Sequence, residues 1–428
     1  MMRCVTLFIL SILSLTVVAD IPAQELDTTK VRTTKKVKKS FGEIVADIPG
    51  EILKFPFYTA EFVIHTIATN PPISEITTLI DIGAEAKPYI PIVGYSSRAG
   101  VKFGVGLRKL KKIAPTDHIK GKVYYSTNDY QSYLVKFRIE KLFTQHLGLD
   151  LYFRYKKRPR ESFYGLGIDS RKDKEASYTF ENTEFKVEIP LHTDDKIYFS
   201  AIGGYQISNL YDGRHPDLQG DLDSIFADPD FALEEGRLDG SRYVTFGSSF
   251  EYDGRDNHGQ PSRGTHLYTR FIRFAGVNRS EGEDFSQYTL DLRQYLHIWR
   301  KRILAFRAYL QRFDANDANE RETPIYMTST LGGIDALRGY VKGRFRDNDL
   351  AVMSVEYRYP IYDFIDAFLF VDEGRVYEKM TDEKFFQDWK YSFGFGLRLW
   401  NPRDVTAMAQ VARSKEATRF YFELGATW

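Results

Sequence analysis

Three residues in the C-terminal third have the types and spacing to form an ion-paired anchor. Arg338 lies in LGGIDALRGYVKGRFRDND (Leu331–Asp349), a Gly- and Arg-rich stretch too irregular for a helix and too long for a tight hairpin turn. Glu356 and Asp372 follow in two strand-like segments, LAVMSVEYRYPI and DAFLFVDEGRVY. With Ala351, Met353, Val355, Tyr357 and Tyr359 on one face of the first segment, Glu356 and Arg358 fall on the other. In the second, Ala367, Leu369 and Val371 leave Asp372 on that same side. Two adjacent strands therefore aim carboxylates in one direction. A guanidinium presents a planar fork that two carboxylates can share, which an ammonium cannot. Arg338 is the natural partner, Gly339 lets the backbone pass close to a wall, and Tyr340 can pack on it.

Other chemistry finds little support. The 8 histidines are scattered, with no HExxH or paired metal spacing. There is no GxSxG and no phosphate-cradling glycine loop. The acidic segment 209–240 lacks the glycine and terminal glutamate of a calcium loop and reads as a solvated outer loop. The chain is expected to be no enzyme and to carry no cofactor and no metal.

The elements that must hold the anchor are strands. From about residue 88 onward the apolar period is two: Val101, Phe103, Val105 and Leu107 alternate with Lys102, Gly104, Gly106 and Arg108, and YSFGFGLRLW repeats the pattern near residue 391. The segments run about ten residues, and their polar faces carry charge at mid-strand. That combination fits a closed barrel with lipid outside and water inside. Sixteen strands are expected: 88–94, 100–108, 118–127, 131–141, 146–157, 176–189, 195–208, 241–253, 263–275, 284–299, 302–313, 349–360, 365–373, 390–400, 403–413 and 417–428. The predicted fold is a 16-stranded antiparallel transmembrane outer-membrane β-barrel spanning 88–428, with a short helical N-terminal periplasmic extension. If both termini are periplasmic, the long connections 158–175, 209–240, 314–348 and 374–389 all face outward. The loop 314–348 is long enough to fold back into the lumen. The inner-side connections are short turns, apart from 109–117.

Residues 1–19, MMRCVTLFILSILSLTVVA, read as a secretory signal: Arg3, an apolar run from Cys4 to Val18, and small residues at the cleavage site. The only cysteine lies inside it, so the exported chain is expected to fold without disulfides. Removal of Arg3 takes the formal charge of +1 to about zero, which gives no support for nucleic-acid binding. A mean hydropathy of −0.38 alongside 15% aromatic residues is too polar for a bundle of membrane helices. Residues 20–40 form a basic linker. Residues 41–87 contain two amphipathic helical segments, which could pack on the barrel or dock on a membrane surface or a periplasmic partner through residues 41–70.

The motifs LGGIDALRGY, VEYRYPI, FVDEGRVY, EYDGRDNHGQPSRGTHLY and the closing FYFELGATW together resemble the BamA/TamA-like superfamily of outer-membrane assembly and translocation barrels, also called the bacterial surface antigen family. The resemblance covers about residues 88–428. It implies that Arg338 matches the arginine of that family's loop motif, with Glu356 and Asp372 as its inward partners. It implies also that the last segment resembles a recognition signal for barrel assembly. Family members usually carry periplasmic domains ahead of the barrel, whereas 20–87 shows no such pattern. The implied function is insertion of protein, or of lipid, into the bacterial outer membrane, or translocation across it, with an unfolded or secreted protein as substrate and lipid and lipopolysaccharide as surroundings. It would use a seam between the first strand (Tyr89, Tyr95) and the last (Phe422, Leu424, Gly425, Trp428). The first strand, flanked by Pro88 and containing Pro91, offers few ladder bonds, and Gly425 would permit a bend. A passive pore, or a membrane anchor for a partner protein, is the alternative.

Overall fold

The computed structural model describes residues 89–424, apart from 97–98, 111–117, 194, 230, 232, 234–237, 239, 278–283, 300–301, 316–322, 363–364, 382–384 and 401–404. The expected signal, linker and helical segments (1–87) lie outside the described residues, as do Gly425 and Trp428.

Period-two patterning produces one antiparallel sheet of 16 strands. In chain order these are β1 (Tyr89–Ser96), β2 (Gly100–Leu110), β3 (His118–Ser126), β4 (Gln131–Ile139), β5 (Leu149–Phe163), β6 (Ala176–His192), β7 (Ile197–Asp212), β8 (Ser241–Asp253), β9 (Gly264–Gly276), β10 (Phe285–Trp299) and β11 (Arg302–Ala315). After two short strands, β12 (Ser329–Leu331) and β13 (Phe345–Asp347), the sheet resumes with β14 (Asp349–Tyr362), β15 (Ile365–Tyr377), β16 (Lys390–Trp400), β17 (Val405–Ser414) and β18 (Thr418–Leu424). Each strand pairs with its neighbour in sequence, β11 pairing directly with β14, while β12 and β13 form a separate two-stranded hairpin. Among the described residues β1 pairs with β2 and β18 with β17, so these two stand at the ends of the strand order.

One face of the sheet is apolar and exposed. Val105, Val123, Val135, Phe185, Phe246, Leu369, Val371, Phe393 and Phe395 lie on it, a band far larger than soluble monomers expose. The opposite face carries the charges. The sheet coils around the β11–β14 connection, because that segment touches strands far apart in the order. Arg346 donates to Tyr178 on β6 at 2.9 Å, and Arg338 reaches Gln410 on β17 at 3.1 Å.

Two features depart from the sequence reading. Strands β5 and β7, 15 and 16 residues long, extend past their expected ends into the outer loops, while β6 starts at Ala176 as expected. Burial explains this: Phe163, Ala176, Tyr178 and Leu210 close over Ile225, Phe231 and Ile325 in one apolar cluster. Ile225 belongs to the short helix α1 (Leu222–Ala227), capped by Asp221, whose carboxylate accepts the Ser224 amide at 3.0 Å. The acidic loop expected to be solvated is thus packed onto its neighbours. In addition, 140–148 is a longer connection than the 142–145 turn expected. The 254–263 connection, within one residue of its expected bounds, is ordered by Asp256, which accepts the amides of Ser262 and Arg263 at 2.9 and 3.2 Å.

Candidate functional site

The β11–β14 connection folds as a plug. Its hairpin pairs Ser329, Thr330 and Leu331 with Asp347, Arg346 and Phe345, and the Gly333 amide donates to the Tyr340 carbonyl at 3.1 Å. Leu331, Leu337, Tyr340 and Phe345 are buried against Leu350 and Val352 of β14, Val376 of β15 and Ile168 of the β5–β6 loop. Apolar burial therefore brings the plug to the wall, and polar groups fix where it sits.

Arg338 is 3% exposed, Glu356 0% and Asp372 1%. The guanidinium forks onto Asp372, with Nε to Oδ2 and Nη2 to Oδ1 both at 2.6 Å. Its Nη1 donates to Glu356 Oε1 at 3.0 Å and to Gln410 Oε1 at 3.1 Å. The backbone amide of Arg338 adds a longer bond to Asp372 at 3.3 Å. Burial alone would lower the affinity of this guanidinium for its proton, but Asp372 and then Glu356 raise it above the ordinary arginine value. The group stays charged.

The second oxygen of Glu356 accepts Arg398 Nη2 at 2.7 Å and Arg358 Nε at 3.2 Å. Three guanidiniums thus converge on one buried carboxylate. Aromatic faces take up part of their charge: the Arg338 Cζ lies 3.4 Å from the Phe370 ring centroid, Arg398 lies 4.0 Å from Phe368, and Arg358 lies 5.3 Å from Tyr295. The glycines of GFG in β16 make room for these rings. A Cβ on Gly394 would come within 2.6 Å of Phe370 Cζ, and one on Gly396 within 2.4 Å of Phe368 Cζ.

The residue after the arginine is held separately. Gly339 has φ 86°, its amide donates to the Tyr421 hydroxyl at 2.9 Å, and its carbonyl accepts Ser414 Oγ at 2.9 Å. The plug is therefore joined to β14, β15, β17 and β18.

Residues 116–428 match the Omp85 superfamily domain. The chain belongs to the Omp85 superfamily. Among solved structures, BamA from Haemophilus ducreyi lacking POTRA domains 1–3 is similar, with a TM-score of 0.57 at 15% identity over 78% of this chain and 69% of that one. CdiB from Escherichia coli is similar with a TM-score of 0.50 at 11% identity, over 79% of this chain and 61% of that one, so this chain spans less than two thirds of that protein. No curated protein matches the sequence. The fold is that of an outer-membrane β-barrel, and the chain is a bacterial outer-membrane protein. The family match begins within 111–117, so β1 and β2 are part of the sheet but precede it.

In this Omp85 barrel the residues singled out by pattern meet as described: Arg338, Glu356 and Asp372 share one ion-paired cluster, Gly339 lies against β17, and Tyr340 packs 5.5 Å from Phe345, ring to ring. Tyr89 and Tyr95 lie on β1 at one end of the sheet, with Phe422 and Leu424 on β18 at the other. Sequence reasoning did not pick out Arg398, Gln410, Ser414, Tyr421 or Phe370. Parity on β15 to β18 would have placed all five on the inner face, but nothing in their types marks them as partners of Arg338.

A second polar cluster closes the far end of β8 and β9. Donor atoms of Glu251, Asp253 and His266 lie within 4.8 Å of one another, a grouping invisible to motif spacing. Asp253 is already engaged: Arg255 forks onto it at 2.8 and 2.7 Å, and His258 Nδ1 lies 2.9 Å away. His266 Nε2 lies 2.9 Å from Glu251. The cluster knits the EYDGRD segment to the start of β9.

Proposed function

We propose that this barrel inserts proteins into the outer membrane or translocates them across it, using the edges of β1 and β18 as the point of engagement. The observation that carries the reading is the tie from the plug to the last strand, through Gly339 and Tyr421, on an Omp85 barrel whose terminal strands, among the described residues, each pair on one side. Pro91 leaves β1 one amide donor fewer. A strand with an unpaired edge can template an incoming strand through main-chain hydrogen bonds. The Arg338 cluster, on β14, β15 and β17, would hold the wall firm while that edge is used. The chemistry is hydrogen-bond exchange between strands, with no catalytic step.

The test is a folding assay in liposomes containing the purified protein, with a denatured outer-membrane barrel as substrate and its gel-mobility shift as readout. Faster folding that is lost with Arg338→Ala is the expected result. An unchanged rate with the folded protein present would overturn the insertase reading and favour a conducting or anchoring barrel.

A further inference from the structure

The connection between β8 and β9 does more than turn the chain. Asn257 Oδ1 accepts the amides of Gly259 and Gln260 at 2.8 and 3.0 Å, a side-chain turn that fixes the backbone around His258. Further on, Gln260 Nε2 donates to Asp366 Oδ2 on β15 at 3.2 Å. The connection therefore reaches from β8 and β9 across the inner face to β15, at the end of the sheet expected to be periplasmic.

Four side chains with metal-binding chemistry meet where this connection starts. Glu251 and Asp253 lie two residues apart on the inner face of β8, and strand register sets His266 of β9 opposite Asp253. Donor atoms of the three lie within 4.8 Å of one another, and Asp253 and His266 are buried. The connection adds His258, whose Nδ1 lies 2.9 Å from Asp253 Oδ2. His266 is 9% exposed, and its Nε2 lies 2.9 Å from Glu251. Facing a carboxylate, that nitrogen carries the ring proton. Nδ1 is then a buried lone pair, and among the described residues it has no hydrogen-bond partner. Buried polar atoms rarely go without a partner, and a cation is the partner a bare lone pair lacks. Arg255 forks onto Asp253, yet Glu251 and Asp253 set two negative charges against its one positive charge. The position left to an ion is the one between Asp253 Oδ2 and His258.

We propose that Asp253, His258 and His266 bind a zinc ion that pins the 254–263 connection to β8 and β9, with Glu251 orienting His266. Two imidazole nitrogens and a carboxylate oxygen suit zinc, whereas calcium and magnesium take oxygen ligands. Tetrahedral ligands at about 2.0–2.1 Å from zinc stand about 3.3 Å apart. The 2.9 Å contact between His258 and Asp253 need therefore widen only slightly to admit the ion. A carboxylate on the second nitrogen is the usual support of a ligating imidazole, which is the place Glu251 holds. The His258 side chain is 72% exposed and gives the ion its way in. The site shares no residue with the Arg338 cluster and does not depend on strand engagement at β1 and β18.

The test is zinc binding by the purified, folded full chain after chelator treatment, measured by equilibrium dialysis against zinc chloride with calcium and magnesium chloride in excess. One zinc per chain is expected. His258→Ala should weaken binding by about tenfold or more, and adding His266→Gln should abolish it. His146 and His192, which meet in neighbouring turns, control for adventitious binding: replacing both with Ala should leave the bound zinc unchanged. Zinc should also slow tryptic cleavage after Arg255 and Arg263 in the wild-type protein and not in His258→Ala. Heat-dependent gel mobility reports whether each variant is folded. No bound zinc, displacement by calcium or magnesium, full binding by the folded His258→Ala variant, or binding lost with His146 and His192 would each overturn the site. Bound zinc with unchanged cleavage would overturn the pinning. Should the double variant not fold, the wild-type protein and the exposed His258→Ala substitution still decide it.

Discussion

The backbone amide of Gly339 donates to the phenolic oxygen of Tyr421 at 2.9 Å. One residue from the arginine that locks the plug to β14 and β15, the chain is thus fastened to β18, the strand at the end of the sheet order. The plug and the edge strand form one mechanical unit.

Removing that hydroxyl should loosen the edge and leave the wall intact. Tyr421→Phe strands a part-buried amide donor, a cost of about 1–3 kcal/mol. Amides of β18 should exchange faster with deuterated solvent, while those of β14 and β15 keep their protection. Equal protection of β18 in both proteins would mean that the tether contributes nothing to holding it.

Asp372 and Glu356 depend on Arg338 to different degrees. Among the described residues the Asp372 carboxylate accepts its hydrogen bonds from Arg338 alone, whereas Glu356 keeps Arg358 and Arg398 when Arg338 is lost. Arg338→Ala therefore leaves Asp372 as a buried charge without its counter-ion, costing about 3–5 kcal/mol. Protease should cut the plug faster and the barrel should open at a lower temperature. Adding Asp372→Asn to Arg338→Ala should restore a large part of the loss, and adding Glu356→Gln should not, since that substitution orphans two further guanidiniums. Equal rescue by both would contradict this division of labour.

Gly339 combines two constraints. Its φ of 86° strains any other residue, at about 1–3 kcal/mol. A Cβ there would also stand 3.0 Å from Ser414 Cβ and 3.1 Å from the Ser414 amide nitrogen. Gly339→Ala should lower the melting temperature of the barrel, and Ser414→Gly in the same chain should not restore it, because it relieves the crowding but also removes the Ser414 hydroxyl that donates to the Gly339 carbonyl. Full recovery would show that backbone strain and that hydrogen bond are both negligible at this position.

What could be read from the sequence follows from the physics of each feature. Alternation with period two is enforced along every strand by the two solvents it separates, so all sixteen sheet strands were legible. The inward direction of Glu356 and Asp372 followed from the same parity. The outer ends of β5 and β7 were not legible, because they depend on Ile225, Phe231 and Ile325, which reach those strands from separate loops. Nor were Gln410 and Tyr421, since their contacts with the plug depend on which strands the loop crosses. The paired glycines of β16 were read only as members of the face that alternates with the apolar one, whereas they admit the rings of Phe368 and Phe370 beneath two arginines.

That use yields a comparison between two glycines on sheet strands. A Cβ at Gly394 would lie 2.0 Å from the Val411 carbonyl oxygen and 2.6 Å from Phe370 Cζ, so both the β16–β17 ladder and the ring under Arg338 must shift. A Cβ at Gly203 on β7 would meet nothing within 4 Å. Overpacking of a fitted site costs about 1–3 kcal/mol, while alanine in open space restricts the unfolded chain and is neutral to mildly stabilising. Gly394→Ala should therefore lower the temperature at which the heat-shifted gel band appears and expose the plug to protease. Gly203→Ala should change neither. Phe370→Leu combined with Gly394→Ala should recover little, because the contact with the Val411 carbonyl remains. If Gly394→Ala is as well tolerated as Gly203→Ala, the ring beneath Arg338 is not held by the space this glycine leaves, and the arginine keeps its place through Asp372 and Glu356 alone.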